Sequence, residues 1–191
     1  MKTILLIALL ALSLCEGETG GWEKKNFNSN DAIIFRAYQT AAAAYSKANG
    51  GSYDDLRGLT VYSQLVNGEN YKICFVDSRS DVPTIFEYIL YKPLPTEGED
   101  EINFTVSSSR SLESTEGLIS FSNPTFTKIE ITLKTVLSKI NNTFKFINFI
   151  YPVENDETIF YIIRATTTEG EKNIIFAQDK ESNDYFEPEI L

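Results

Sequence analysis

The sequence predicts an α+β fold in which one helix is wrapped by an antiparallel β-sheet, and it predicts this arrangement twice in tandem. Each half of the chain has one segment with helical periodicity, followed by runs of β-branched and aromatic residues separated by turn signals. Val66 and Val153, 87 positions apart, each precede a polar turn and an aromatic strand. We therefore expect one unit over residues 18–108 and a second over residues 109–191.

The N-terminus has the pattern of a secretory signal peptide. Lys2 precedes an apolar run over residues 4–14, and the polar or small residues 15–17 follow it. The run is shorter than the roughly 20 apolar residues that a membrane-spanning helix needs. We expect residues 1–17 to be removed and the mature protein to be secreted, or to reside in an endomembrane lumen, without a membrane segment. Asn103 and Asn141 lie in possible glycosylation sequons.

In the first half, a helix is predicted over residues 31–48. Its apolar residues recur at helical spacing, Asn30 or Asp31 can cap its start, and Gly50-Gly51 can end it. Four strands are predicted to follow, over residues 59–66, 71–77, 84–92 and 102–107. The face expected to be buried comprises Ile34, Tyr38, Ala41, Tyr45 and Ala48.

In the second half, a helix is predicted after Asn123-Pro124, because proline is favoured in the first helical turn. Alternating β-branched residues leave a strand possible over the same segment. Strands are predicted over residues 143–151, 158–166 and 172–178, and residues 118–121 are a candidate for the first strand of this unit. The face expected to be buried comprises Phe126, Ile129, Leu133, Leu137 and Ile140.

Composition narrows the classes of function. The 191 residues carry 17 basic and 27 acidic side chains, a net charge of −10 that disfavours nucleic-acid binding. The chain has no histidine, which removes the common Ser-His and Cys-His nucleophiles and histidine-based zinc sites. The acidic runs at residues 54–55 and 97–101 are typical of solvated loops. We expect a binding protein that is not an enzyme and that needs no cofactor or metal.

Three short segments give the strongest functional signal. Gly20-Gly21 precedes the first helix, residues Gln64, Leu65, Val66, Asn67 and Gly68 follow it, and Leu94-Pro95 comes after a later strand. In this order they resemble the cystatin family of papain-like cysteine protease inhibitors, which has an N-terminal glycine, a Q-x-V-x-G hairpin and a second hairpin with Pro-Trp or Leu-Pro. The resemblance covers roughly residues 20–108. It implies a wedge of three segments that fills the cleft of a cathepsin-type protease.

The chemistry of the three segments suits that role. Asn67 and Gly68 both tolerate positive φ, which favours a tight hairpin that projects Leu65 and Val66. Pro95 stiffens a second apolar tip, and Gly20-Gly21 permits a close approach to another backbone. Each segment is also common in proteins that inhibit nothing.

Departures from the cystatin pattern leave an alternative open. Residues 152–156 occupy the matching turn of the second half but lack the glutamine and the glycine, so we expect this unit to keep the fold without the wedge. Cys74 is the only cysteine after residue 17, which excludes an internal disulfide, and we expect it to be a small buried apolar residue. The alternative is a secreted, non-inhibitory binding module of two cystatin-like units, or an inhibitor of another protease class.

Overall fold

The structure is a computed structural model that describes residues 20–27, 30–79, 81, 83–95, 102–113, 118–139, 143–186 and 188–191. The predicted signal peptide, Ile140 and Asn141 lie outside these residues. The fold is α+β, with two α-helices, a 3-10 turn at Tyr53–Asp55 and two antiparallel sheets among the described residues. No helix within these ranges is long and apolar enough to cross a membrane.

The first sheet contains five strands in the order of the chain, β1 to β5, and one helix, α1, comes between β1 and β2. Their bounds are β1 Glu23–Lys25, α1 Ala32–Asn49, β2 Leu56–Val66, β3 Gly68–Asp77, β4 Thr84–Lys92 and β5 Thr105–Ser111.

Helix α1 matches the predicted helix to within one residue at each end. The Asp31 carboxylate caps the helix by accepting hydrogen bonds from the Ile33 and Ile34 amides at 2.9 and 3.2 Å. Gly50, with φ of +71°, ends it. Ala48 is exposed, so the prediction that it is buried was wrong: Tyr45 is the last residue of α1 that packs into the core, and Ala48 lies in the turn after it. The other four residues of the predicted face contribute to the core between α1 and the sheet.

Strand β5 departs most from its prediction. It was expected over residues 102–107, but it begins at Thr105 and continues to Ser111, and every residue in it is exposed. Its serine-rich sequence has low β-propensity, and pairing with β4 from Tyr91↔Thr105 to Phe86↔Ser111 holds it in place. The predicted boundary between the units, after residue 108, falls inside this strand.

The second sheet has the order β6-β7-β8-β9 and carries helix α2. Here the helix prediction is confirmed over the strand alternative, with Ile129, Leu133 and Leu137 fully buried against the sheet. The bounds are α2 Pro124–Lys139, β6 Phe144–Glu154, β7 Thr158–Thr167, β8 Gly170–Asp179 and β9 Glu189–Ile190.

Residues 118–121 do not form the strand that their apolar character suggested. One backbone bond, from Ile119 N to Ile150 O at 3.0 Å, ties this segment to β6. The chain then turns at once into α2, where the Asn123 side chain accepts a hydrogen bond from Thr125 N at 2.9 Å. The early turn leaves too little length for a strand.

The two sheets pack against each other, and each helix covers the opposite face of its own sheet. The layer order is helix, sheet, sheet, helix. The core between the sheets comprises Cys74, Val76, Ile85, Leu112, Val153, Phe160, Ile162, Ile175 and Ala177. Because both halves contribute to this core, they form one folded body.

Candidate functional site

Two of the three predicted segments lie at the same edge of the first sheet. Strands β2, β3 and β4 are antiparallel neighbours, so the β2–β3 turn and the chain leaving β4 emerge on one side. Glu69, just after the turn, pairs with Lys92, the last residue of β4. An ion pair of 3.4 Å joins their side chains. The Asn67 turn and Leu94-Pro95 therefore project from the same edge.

The N-terminal glycines lie toward that edge as well. Strand β1 is antiparallel to β2, with Glu23 opposite Ser63, so the chain before Glu23 runs in the direction of Val66. A side chain added at Gly20 or Gly21 would meet no atom within 4 Å. The structure thus brings all three predicted segments together.

The turn between β2 and β3 presents an apolar tip. Leu65 is 71% exposed, and Val66 and Gln64 are half-buried beside it. Of the two turn residues that tolerate positive φ, only Gly68 adopts it, at +111°. A Cβ at Gly68 would lie 2.6 Å from the Lys92 carbonyl oxygen and 2.7 Å from the Tyr91 ring, so this position needs glycine.

Tyr91 supports the turn from the neighbouring strand, and sequence reasoning missed it. Its hydroxyl donates a hydrogen bond of 2.5 Å to the main-chain oxygen of Asn67. Its position could have indicated this role, because the predicted meander places the end of β4 beside the start of β3, and Tyr91 lies at the end of β4. The turn is held both by the pairing of β2 with β3 and by Tyr91 from β4. A turn held in this way loses little conformational entropy when it binds a partner.

The second tip follows β4 directly. Residues 93–95 are exposed, and Leu94 has 59% of its surface open to solvent. The acidic run at residues 97–101 lies outside the described residues. Where the chain returns, Asn103 is exposed, while the Phe104 ring packs edge-on against Tyr71 at 5.5 Å.

The matching turn of the second unit is not free to act as a tip. The β6–β7 turn packs against the face of the first sheet that α1 does not cover, and Asn155 within it is buried. The Asn155 side chain donates to the Glu87 carboxylate at 2.7 Å and to the Cys74 sulfur at 3.4 Å. Lys72 pairs with Glu157 at 2.6 Å, both largely removed from solvent. This turn therefore joins the two sheets.

Cys74 and Asp55, two residues of the first unit with chemically useful side chains, have structural roles. Burial raises the pKa of the Cys74 thiol to about 12, which keeps it protonated and unreactive at neutral pH. Asp55 accepts a hydrogen bond from the Ser52 amide at 3.2 Å, as part of a local cap. Among the described residues, no group of three or more Cys, Asp or Glu side chains is arranged to hold a metal ion.

In comparisons with known proteins, the chain matches no protein-family model and no curated protein sequence. The assignment of a function therefore depends on the geometry of the edge that carries Gly20-Gly21, the Asn67 turn and Leu94-Pro95, which we call the three-segment edge.

Proposed function

We propose that this protein is a secreted, reversible inhibitor of papain-like cysteine endopeptidases, built from two units of the cystatin fold. The three-segment edge enters the cleft of the protease and blocks it. The protein is not an enzyme in this proposal, and its partners are cathepsin-type proteases. The second unit keeps the fold and has lost the wedge.

The observation that carries the proposal is the convergence of three separate apolar or glycine-rich segments on one edge. Leu65 and Leu94 are among the most exposed large apolar side chains of the described residues, and both lie at this edge. Burial of these apolar side chains in a protease cleft would lower the free energy of the complex. Because the turns are stiff, little conformational entropy would be lost on binding. The order of strands and helix in the first unit also agrees with a cystatin fold.

Reversibility follows from the chemistry of such a contact. Inhibition by a wedge needs no covalent bond, and the buried, protonated Cys74 offers no thiolate for exchange with the protease. Gly20 is half-buried and Gly21 is exposed, and neither has an atom within 4 Å of the place a side chain would take, which allows the N-terminal segment to lie close to the protease backbone. Binding strength then comes from buried apolar area and from the rigidity of the turn.

Titration of active papain with the protein tests this proposal. Leu65→Asp places a charge in the contact and should weaken inhibition by several kcal/mol. Leu118→Asp is the matched control, because Leu118 is similarly exposed, at 66%, but lies away from the three-segment edge. We expect tight inhibition by the parent and by Leu118→Asp, and its loss in Leu65→Asp. Absence of inhibition by the folded parent would contradict the proposal.

A non-inhibitory binding module is the second candidate, and one feature favours it. An open groove of about 720 Å³ runs along the seam between the sheets. Its apolar lining includes Ile85, Leu112, Leu118, Phe149 and Val153. If Leu118→Asp altered partner binding while Leu65→Asp did not, this candidate would replace the inhibitor.

A further inference from the structure

The β2–β3 turn joins an exposed asparagine to a glycine. Asn67 is open to solvent, and no described residue forms a hydrogen bond with its side-chain amide. Gly68 is itself buried beside the Tyr91 ring and the Lys92 backbone, but it places no side chain next to the main-chain nitrogen that follows Asn67. We propose that Asn67 is a site of spontaneous deamidation, at which the tip of the hairpin is converted with time into isoaspartate.

The reaction needs only water. The Gly68 nitrogen attacks Asn67 Cγ, which places the reacting atoms in a five-membered ring. A C–N bond forms, the bond from Cγ to Nδ2 breaks, and ammonia leaves with the proton that Gly68 N gives up through solvent. Water then opens the cyclic imide. Attack at Cγ yields aspartate, and attack at the main-chain carbon yields isoaspartate, in which the chain continues through the former side chain.

Tyr91 directs this reaction through its hydrogen bond to the Asn67 main-chain oxygen, at 2.5 Å. Donation to this oxygen draws electron density from the peptide group, so the Gly68 N–H loses its proton more readily. In the imide, the same donor makes the main-chain carbon the more electrophilic of the two carbonyl carbons. Tyr91 is thus a positioning residue that favours the isoaspartate product.

The chain contains an internal comparison at Asn49-Gly50. Asn49 is the last residue of α1, and its Nδ2 donates a hydrogen bond to the Tyr45 oxygen at 3.1 Å. The Gly50 nitrogen donates to the Ser46 oxygen at 2.8 Å. The leaving group and the nucleophile are both held by the helix, so the same dipeptide is protected there.

The functional consequence rests on the proposed protease contact. Isoaspartate lengthens the main chain by one methylene at the apex and adds a carboxylate between Val66 and Gly68. A lengthened, charged turn no longer projects Leu65 from a rigid strand pair. Modification of Asn67 therefore limits the working lifetime of the inhibitor.

Peptide mapping by mass spectrometry after incubation of the folded protein at neutral pH tests the site. We expect deamidation at Asn67 to be roughly tenfold or more faster than at Asn49, because the helix prevents the geometry of attack. In denaturant the two rates should converge. The Tyr91→Phe variant should show slower reaction and a smaller isoaspartate share. Equal rates at the two sites in the folded protein would overturn the proposal.

A second arm separates this inference from the inhibitor proposal. Parent and Asn67→Ser proteins are each titrated against papain when fresh and after ageing, and each aged sample is compared with its own fresh sample. A fall in inhibition by the aged parent, in proportion to its modified fraction, with no fall on ageing in Asn67→Ser whatever its starting strength, would support both proposals. If fresh protein does not inhibit papain, the inhibitor proposal fails while the mass measurement still decides the modification. Full inhibition by fully modified protein would overturn the stated consequence.

Discussion

The Asn155 side-chain amide in the second unit donates a hydrogen bond of 2.7 Å to the Glu87 carboxylate on β4 of the first unit. Its oxygen accepts from the main-chain nitrogens of Glu157 and Thr158, at 3.1 and 2.8 Å. Glu87 also pairs with Arg110 at 2.8 Å. One amide thus fixes its own turn and attaches that turn to the opposite sheet, so the second hairpin is a structural joint.

Removal of this joint should destabilise the whole fold. Asn155→Ala removes the donor to one oxygen of the buried Glu87 carboxylate, whose other oxygen keeps its ion pair with Arg110, and it removes the side-chain acceptor of the Thr158 amide. We expect it to lower the free energy of unfolding by about 2–4 kcal/mol. Asn148→Ala is the control, because it removes an exposed hydrogen bond to Glu171 and a half-buried one from Thr166, neither of which joins the two sheets, with an expected cost of about 0.5–1 kcal/mol. Urea denaturation measures both. Equal and small losses of stability in the two variants would contradict the claim that Asn155 holds the two sheets together.

A comparison of alanine substitutions at Gly68 and Gly170 separates the cost of backbone strain from the cost of a steric clash at the β2–β3 turn. Their φ angles are +111° and +114°, but a Cβ at Gly170 would meet nothing within 4 Å. Alanine at Gly170 should cost about 1–2 kcal/mol from backbone strain alone. Alanine at Gly68 should cost about 1–3 kcal/mol more, since it also displaces the Tyr91 ring or the Lys92 backbone. Thermal unfolding measures the loss of stability in each variant. Equal losses would contradict the prediction, because they would mean that the Tyr91 ring and the Lys92 backbone move away from a new side chain at no cost.

Asp77 should make stability depend on pH in the acid range. The Arg79 guanidinium, at 2.5–2.9 Å, holds the pKa of Asp77 at about 2, below its usual 3.8, and the Tyr45 hydroxyl also donates to the carboxylate. A lowered pKa means that the ionised form stabilises the fold above pH 3.8. This contribution, roughly 2 kcal/mol, is lost as the pH falls through 2.

The Asp77→Asn variant tests this dependence. The difference in unfolding free energy between parent and variant should be constant near neutral pH and should shrink between pH 3.8 and 2. Denaturation curves recorded across that range provide the measurement. Parallel pH profiles for the two proteins would show that Asp77 does not carry the effect.

Cys74 reports on the core between the sheets. Because burial raises its pKa to about 12, the thiolate fraction at neutral pH should be roughly three orders of magnitude below that of a free cysteine. A thiol reagent should therefore label the folded protein very slowly and the denatured protein at an ordinary rate. Asn155→Ala should raise the labelling rate in native buffer. Rapid labelling of the native parent would contradict the packed arrangement of the two sheets.

Local sequence patterns correctly predicted the elements that are specified by their own residues, and they failed where a neighbouring strand decides the structure. Strand β4 has the predicted bounds, Thr84–Lys92, because its apolar and aromatic residues lie between turn signals. Residues 124–139 form helix α2 and not a strand, because their apolar residues recur at helical spacing and a helix can bury all of them against the sheet. The exposed strand β5 was misplaced because pairing with β4, rather than its own side chains, holds it.

The stacking of the sheets was not predicted, although β3 contained a sign of it. Ile73 and Phe75 face α1, while Cys74 and Val76 face the second sheet, and all four are fully buried. A continuous apolar run of this kind indicates a strand covered on both faces. The three-segment edge was predictable because chain order and antiparallel topology determine which turns share an edge. The contact from Tyr91 to Asn67 depends on side-chain geometry that no spacing reveals.

Hydrogen exchange of the protein with and without papain tests the central claim most directly, because it locates the contact. The account predicts slowed exchange at the amides of residues 20–22, 64–68 and 94 on addition of papain, with the β6–β7 turn at 155–157 unchanged. Protection confined to these segments would place the three-segment edge in the protease cleft. Protection elsewhere, or none at concentrations where papain is inhibited, would contradict it.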